Sequence, residues 1–207
     1  MTYKLGRRCG SVSLSVVLSG VLFGACKKPP TDPVRLVGHA ALPAATFAEG
    51  PPSGAHLGAA VRNGMPLPFA RQPVQGFSAL IAGKEAGVYL ALADNGYGAL
   101  ENSADFHLRV YRIQPSLHEK GGGSGAIAVL DYFELRDPNH HVPFAIRNHY
   151  TKDRVLTGAD FDPESMRQAP DGSFYFGEEF GPFLLHTDAT GALLEPPIPL
   201  KQADGSE

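Results

Sequence analysis

Twice in this chain four short apolar runs follow one another, each parted from the next by residues that turn the backbone, and no stretch keeps a helical period over three turns. Runs this short, β-branched or aromatic and bounded by Gly, Pro, Asn and Asp, specify strands, so the expected class is all-β. The first set is Gln75–Leu80, Val88–Ala93, His107–Ile113 and Ala126–Leu135; the second is Glu164–Gln168, Ser173–Glu178, Phe183–Thr187 and Ala192–Ile198. Ala169-Pro170-Asp171-Gly172 is a strong hairpin signal, because Pro presets one dihedral and Gly accepts a positive φ. Pro196 and Pro197 cannot donate ladder bonds, which puts the last run on a sheet edge. Four strands joined as a meander form one blade of a β-propeller. The expectation is a partial β-propeller of four-stranded antiparallel blades, about two plus a fraction, with Arg35–Leu42 as a candidate strand of the fraction. A β-sandwich is the competing arrangement of two meanders. Propellers close with about 4–8 blades, so the chain is expected to be truncated after the polar run Lys201–Glu207.

The opening residues read as targeting, not as fold. Lys4, Arg7 and Arg8 precede Ser11–Ala25, an apolar or small run of about fifteen residues. A membrane span needs roughly 20 apolar residues, whereas this length suits the core of a signal peptide. Leu22-Phe23-Gly24-Ala25-Cys26 resembles the lipobox at which bacterial lipoproteins are cleaved and acylated, with Phe23 where Leu is usual. The expected organisation is a signal peptide over 1–25, a lipidated Cys26 with a Pro-rich tether over 26–34, and one domain over 35–207. The alternative is an ordinary secretory signal cut near Ala25, with Cys26 incidental. With Lys27 rather than Asp after the cysteine, the expected location is the cell envelope, lipid-anchored in the outer membrane.

Cys9 leaves with such a signal and Cys26 carries lipid, so the mature domain holds no thiol for a disulfide or a thiolate metal site. Without residues 1–25 the chain carries 15 basic against 21 acidic residues, a net −6 compared with −3 for the whole. A mildly acidic domain without basic clusters argues against nucleic-acid binding. No Gly-x-Ser-x-Gly elbow, phosphate-binding glycine loop or Cys–His pair is present, so no organic cofactor is expected. The histidines lack zinc-ligand spacing.

Blade topology predicts where the acidic residues go. The connector into a blade's first strand and the loop after its second strand share one face, beside the central channel. Glu164 enters and Glu178 and Glu179 leave in the second blade; Gln75 and Ser78 enter and Asp94 and Asn95 leave in the first. Gly96–Asp105 overhangs the same rim. Convergent hard oxygen donors suit Ca²⁺ or Mg²⁺, with Asp94, Asn95, Glu164 and Glu178 as expected ligands and Glu164, Glu178 and Glu179 as expected catalytic groups. Each has a plainer reading. Asp94-Asn95-Gly96 also spells a common turn, Asp160 and Asp162 also suit connector caps, and Asp171 and Asp188 are turn residues. Of the adjacent Glu178 and Glu179, at least one is expected in a site, because a turn at Phe180-Gly181-Pro182 needs no charge pair.

The ordered motifs Gln75-Gly-Phe-Ser78, Asp94-Asn-Gly96, Asn102-Ser-Ala-Asp-Phe106 and Leu108-Arg-Val-Tyr111 resemble the phytase-like family named for esterase-like activity of phytase. So do Gly158-Ala-Asp-Phe-Asp-Pro-Glu-Ser165, Asp171-Gly172 and Gly177-Glu-Glu-Phe-Gly-Pro-Phe183, and the resemblance spans roughly 35–200. It implies an exported, propeller-like hydrolase and matches Glu164, Glu178 and Glu179 to the family's acidic motif. The function expected is metal-assisted hydrolysis of a small phosphate or carboxylic ester. The alternative is a non-catalytic binding propeller on the cell envelope, since fold does not fix function.

Overall fold

The computed structural model describes residues 35–201. Cys26, the signal segment and the tether lie outside the described residues, as do residues 202–207. Fourteen strands form, and among the described residues no α-helix does; Leu100–Asn102 makes a 3-10 turn. β1 (Gly38–His39), β2 (Phe47–Ala48), β3 (Val61–Arg62), β4 (Met65–Pro66) and β5 (Gln72–Pro73) are short. β6 (Phe77–Ala82), β7 (Tyr89–Ala93), β8 (Arg109–Pro115), β9 (His118–Glu119) and β10 (Ile127–Glu134) follow. The chain then forms β11 (Pro163–Gln168), β12 (Phe174–Glu178), β13 (Phe183–Thr187) and β14 (Ile198–Pro199).

Two four-stranded antiparallel sheets carry the fold, in the orders β6-β7-β8-β10 and β11-β12-β13-β14. Both are meanders, as the turn chemistry requires. Asp171 Oδ1 accepts the Ser173 N–H and hydroxyl at 2.9 and 2.7 Å and shapes the β11–β12 hairpin. The architecture is all-β and propeller-like, with no closed barrel. Arg35–Leu42 yields only β1, which pairs with β9 outside either blade. The fourth strand of the second blade is confined to β14, at the end of the expected run Ala192–Ile198, and Leu193 adds only an isolated antiparallel bridge to Thr187 of β13. Pro196 and Pro197 withhold ladder donors, and Ala192 instead bridges Arg136 in parallel.

Strand alternation divides the core into two layers. Leu90 and Leu92 of β7 and Val110 of β8 face the second blade, where they meet Met166, Phe174, Phe176 and Leu185. Ala91, Ala93, Tyr111 and Ile113 face the opposite way and pack beneath Val74, Leu42 and Ala48. The connector between blades holds by charge as well as packing. Fully buried Asp137 accepts the His141 and Val142 N–H groups, and its Oδ2 meets Arg154 Nη2 at 3.0 Å. Removing one partner of such a pair strands the other charge in a dry site.

Both blades bulge at the same place. The β6–β7 register shifts between Phe77 and Ala79, and the β11–β12 register shifts between Pro163 and Ser165. Ser78 and Glu164 are the unpaired residues. A bulge re-aims the side chain it carries, and in the second blade that side chain is a carboxylate at the strand's entrance.

Candidate metal-binding rim

The two blades meet through a hydrogen-bonded hinge of loops. After β7 the chain turns at Asp94-Asn95-Gly96, where Asp94 Oδ1 accepts the Gly96 N–H at 2.7 Å. Gln75 Nε2 donates to the Gly96 carbonyl at 2.6 Å and ties the turn to the approach of β6. Across the gap, Asp162 precedes β11. Its Oδ1 accepts the Asn95 backbone N–H at 3.0 Å and its Oδ2 accepts Asn95 Nδ2 at 2.8 Å. The Asp162 carbonyl accepts the Glu179 N–H at 3.1 Å. One buried residue thus joins the loop after β7, the entry to β11 and the exit from β12.

Close approach is enforced by glycine. A Cβ on Gly158 would fall 2.0 Å from the Asn95 carbonyl oxygen, a contact no side chain tolerates. A Cβ on Gly76 would meet Asp94 Oδ1 at 2.2 Å, and its φ of +64° also favours glycine.

Asp162, Glu164 and Glu179 each bring a carboxylate oxygen within 4.8 Å of the others. Asp162 is buried at 6% exposure, whereas Glu164 and Glu179 are exposed. Burial pushes the Asp162 carboxyl up to about 6; the Asn95 N–H opposes this, and the negative charges of Glu164, Asp94 and Glu179 add to it. Burial also raises Asp94, against the Gly96 N–H and with help from Glu164. A cation held there would relieve this repulsion. Three convergent carboxylates are a set of hard oxygen donors that could hold a divalent cation such as Ca²⁺ or Mg²⁺.

The expected residues separate into three groups. Glu164 and Glu179 enter the cluster. Asp94 flanks it and acts on Asp162 and Glu164 through charge. Asn95 and Glu178 are spent on structure. Both Asn95 Nδ2 and its Oδ1 are engaged, the latter by the Gly98 N–H at 2.8 Å. Glu178 is 4% exposed, and its carboxylate accepts the N–H groups of Phe180, Gly181 and Phe183 at 3.0, 2.8 and 2.7 Å. It pins the β12–β13 turn that carries Glu179.

Asp162 is the site residue that sequence reasoning leaves among the connector caps. Asp160 does cap, accepting the Thr157 N–H and hydroxyl and the Arg147 N–H. Spacing does not separate the two, since Asp160, Asp162 and Glu164 follow at intervals of two; the hydrogen bonds of Asp162 to Asn95 do.

A family model described as Phytase-like: Esterase-like activity of phytase matches residues 72–205, which include both blades and every residue of the rim. No curated protein and no solved structure matches the chain.

Proposed function

The chain belongs to the phytase-like family described as esterase-like activity of phytase, and on that premise we propose that it is a cation-dependent hydrolase of small phosphate or carboxylic esters. The observation that carries the reading is the convergence of Asp162, Glu164 and Glu179 within 4.8 Å at the junction of two blades. These three residues would hold a divalent cation, Ca²⁺ or Mg²⁺. When bound, such a cation polarises a phosphoryl or carbonyl oxygen as a Lewis acid.

The remaining roles fall to the chain itself. Asn95 fixes the Asp162 carboxylate with two hydrogen bonds, so the buried ligand is oriented before any cation arrives. Glu178 is a positioning residue that holds the turn behind Glu179. Asp94 adds negative charge beside the cluster, and the overhanging loop is fixed by Asp105, which accepts the Gly54 and Ala55 N–H groups at 2.9 and 2.8 Å. A rim built this way binds a cation on rigid supports with its exposed side open to substrate.

Calorimetric titration with Ca²⁺ tests the ligand set. Glu164→Gln and Glu179→Gln each weaken binding at least tenfold while leaving the melting temperature of the cation-free protein within a few degrees. Wild-type affinity in both variants removes these residues from the site.

The protein is further proposed to be held at the bacterial cell envelope, in the outer membrane, by lipid on Cys26. The support is the sequence around Ala25-Cys26 and the polar, Pro-rich stretch after it. Several acyl chains give firm anchorage, at about 0.8 kcal/mol per buried methylene. Cys26→Ala releases the protein from the membrane fraction; retention in that fraction contradicts lipid attachment.

A further inference from the structure

The supports of the acidic rim also wall a cavity of about 550 Å³, within the range of roughly 300–1,000 Å³ that small-molecule sites occupy. Three segments line it. The overhanging loop supplies Leu100, the connector between the blades supplies Phe144, Ile146, Arg147 and His149, and the approach to β11 supplies Asp160. Each segment is tied to the rim. Gly98, two residues before Leu100, donates its N–H to Asn95 Oδ1 at 2.8 Å, and Asn95 in turn holds Asp162. Asp160 and Asp162 flank the buried Phe161. The Phe144 ring lies 5.8 Å from that of Phe161 and 6.1 Å from that of Phe183. The Phe183 N–H donates to Glu178, which pins the turn carrying Glu179.

Apolar side chains meet solvent in this cavity. Leu100 and Phe144 reach it from separate loops and are 42% and 41% exposed, and buried Ile146 adds a third apolar wall. Covering such surface with an apolar ring removes it from water, which is favourable, and an aromatic ring has the shape to pack on Phe144. The polar walls are already engaged. Asp160 accepts the Thr157 N–H and hydroxyl and the Arg147 N–H. The Arg147 charge opposes that of Asp160, and His149 Nδ1 meets the Ile146 carbonyl at 3.0 Å. A polyanion entering here meets an arginine whose charge Asp160 already offsets.

We propose, on the premise that the rim is the hydrolytic centre, that this cavity is its substrate subsite and seats an aromatic group of the ester. Esters of aromatic alcohols are then preferred over polyphosphorylated alcohols such as phytate, which have no apolar group to place there. Leu100 and Phe144 set this preference by packing and take no part in bond cleavage.

The test begins with binding, in excess chelator, of naphthyl phosphate to the purified full chain. The chain has no tryptophan, so naphthyl fluorescence is read without overlap. Its anisotropy rises saturably; naphthol displaces the ligand, and glycerol phosphate at the same concentration does not. Leu100→Ser and Phe144→Ala each weaken binding at least fivefold, whereas Leu117→Ser, an exposed leucine beside β9, matches wild type. Should Phe144→Ala melt early, because its ring packs on Phe161 and Phe183, Leu100→Ser carries the test. With Ca²⁺, kcat/KM for naphthyl phosphate exceeds that for glycerol phosphate at least tenfold. Leu100→Ser narrows that ratio several-fold, which separates packing from leaving-group reactivity. Unsaturable binding in chelator, displacement by glycerol phosphate rather than naphthol, wild-type affinity in Leu100→Ser, or an equal loss in Leu117→Ser overturns the subsite. Naphthyl binding of the expected pattern in a chain without Ca²⁺-dependent turnover supports the cavity and overturns the rim instead, so the two failures are distinguishable.

Discussion

At the residue scale, the rim shows how neighbouring carboxylates acquire opposite duties. Glu178 and Glu179 are adjacent, and strand alternation sends them to opposite sides. The inward one becomes an acceptor for three backbone N–H groups and the outward one joins the cluster. Glu178 turns inward because it shares the face of Phe174 and Phe176, the buried positions of β12. That alternation is present in the sequence, so the inward residue is legible; the meeting of the outward one with Glu164 is not, because it depends on the bulge that re-aims Glu164. Glu178→Ala removes the acceptor of three part-buried N–H groups and is expected to cost about 1–3 kcal/mol in chemical denaturation, beyond what a lost exposed charge accounts for. Asp162 gives a pH signature. Its folded-state value of about 6 lies above the ordinary 3.8, so the stability it contributes to the cation-free protein is complete below about pH 4 and is lost as pH rises through 6. Protons and cation compete for the same oxygens. Ca²⁺ affinity therefore falls about tenfold between pH 7 and pH 5, measurable by the same titration calorimetry; a flat profile across that interval excludes Asp162 as a ligand.

At the element scale, the blade plan places the site. Strands joined as meanders put the entry to β11 and the exits from β7 and β12 on one rim, and that much follows from the order of runs and turns. The central strands were the most legible because their patterns are strong: β13 spans Phe183–Thr187 as its apolar run indicates. The ends were less so, where proline removes donors and side contacts take over, as at Ala192 with Arg136. Contact between the blades depends on the lack of a side chain at Gly158. Gly158→Ala forces a methyl group toward the Asn95 carbonyl, with an expected cost of about 1–3 kcal/mol. Because Asn95 holds Asp162, the same variant is expected to weaken Ca²⁺ binding several-fold. Wild-type affinity in a destabilised Gly158→Ala protein would show that the cluster does not depend on the junction.

At the scale of the whole molecule, two propeller-like blades share a core of Leu, Met and Phe and present the acidic cluster at their junction. The arrangement sets a rigid scaffold beneath an exposed pair of carboxylates, which is how a site stays ordered without a closed pocket. The motifs in their order, more than any single one, marked the family, because each alone also spells a turn. The central claim is that this rim is a cation-dependent hydrolytic site. Its most direct test is turnover of a phosphomonoester and of phytate by the purified chain, with Ca²⁺ and with chelator, in wild type and in the Glu164→Gln/Glu179→Gln double variant. The account predicts turnover of at least one substrate with Ca²⁺, and its loss on chelation and in the double variant. A folded, Ca²⁺-saturated protein that turns over neither, or a double variant as active as wild type, contradicts it.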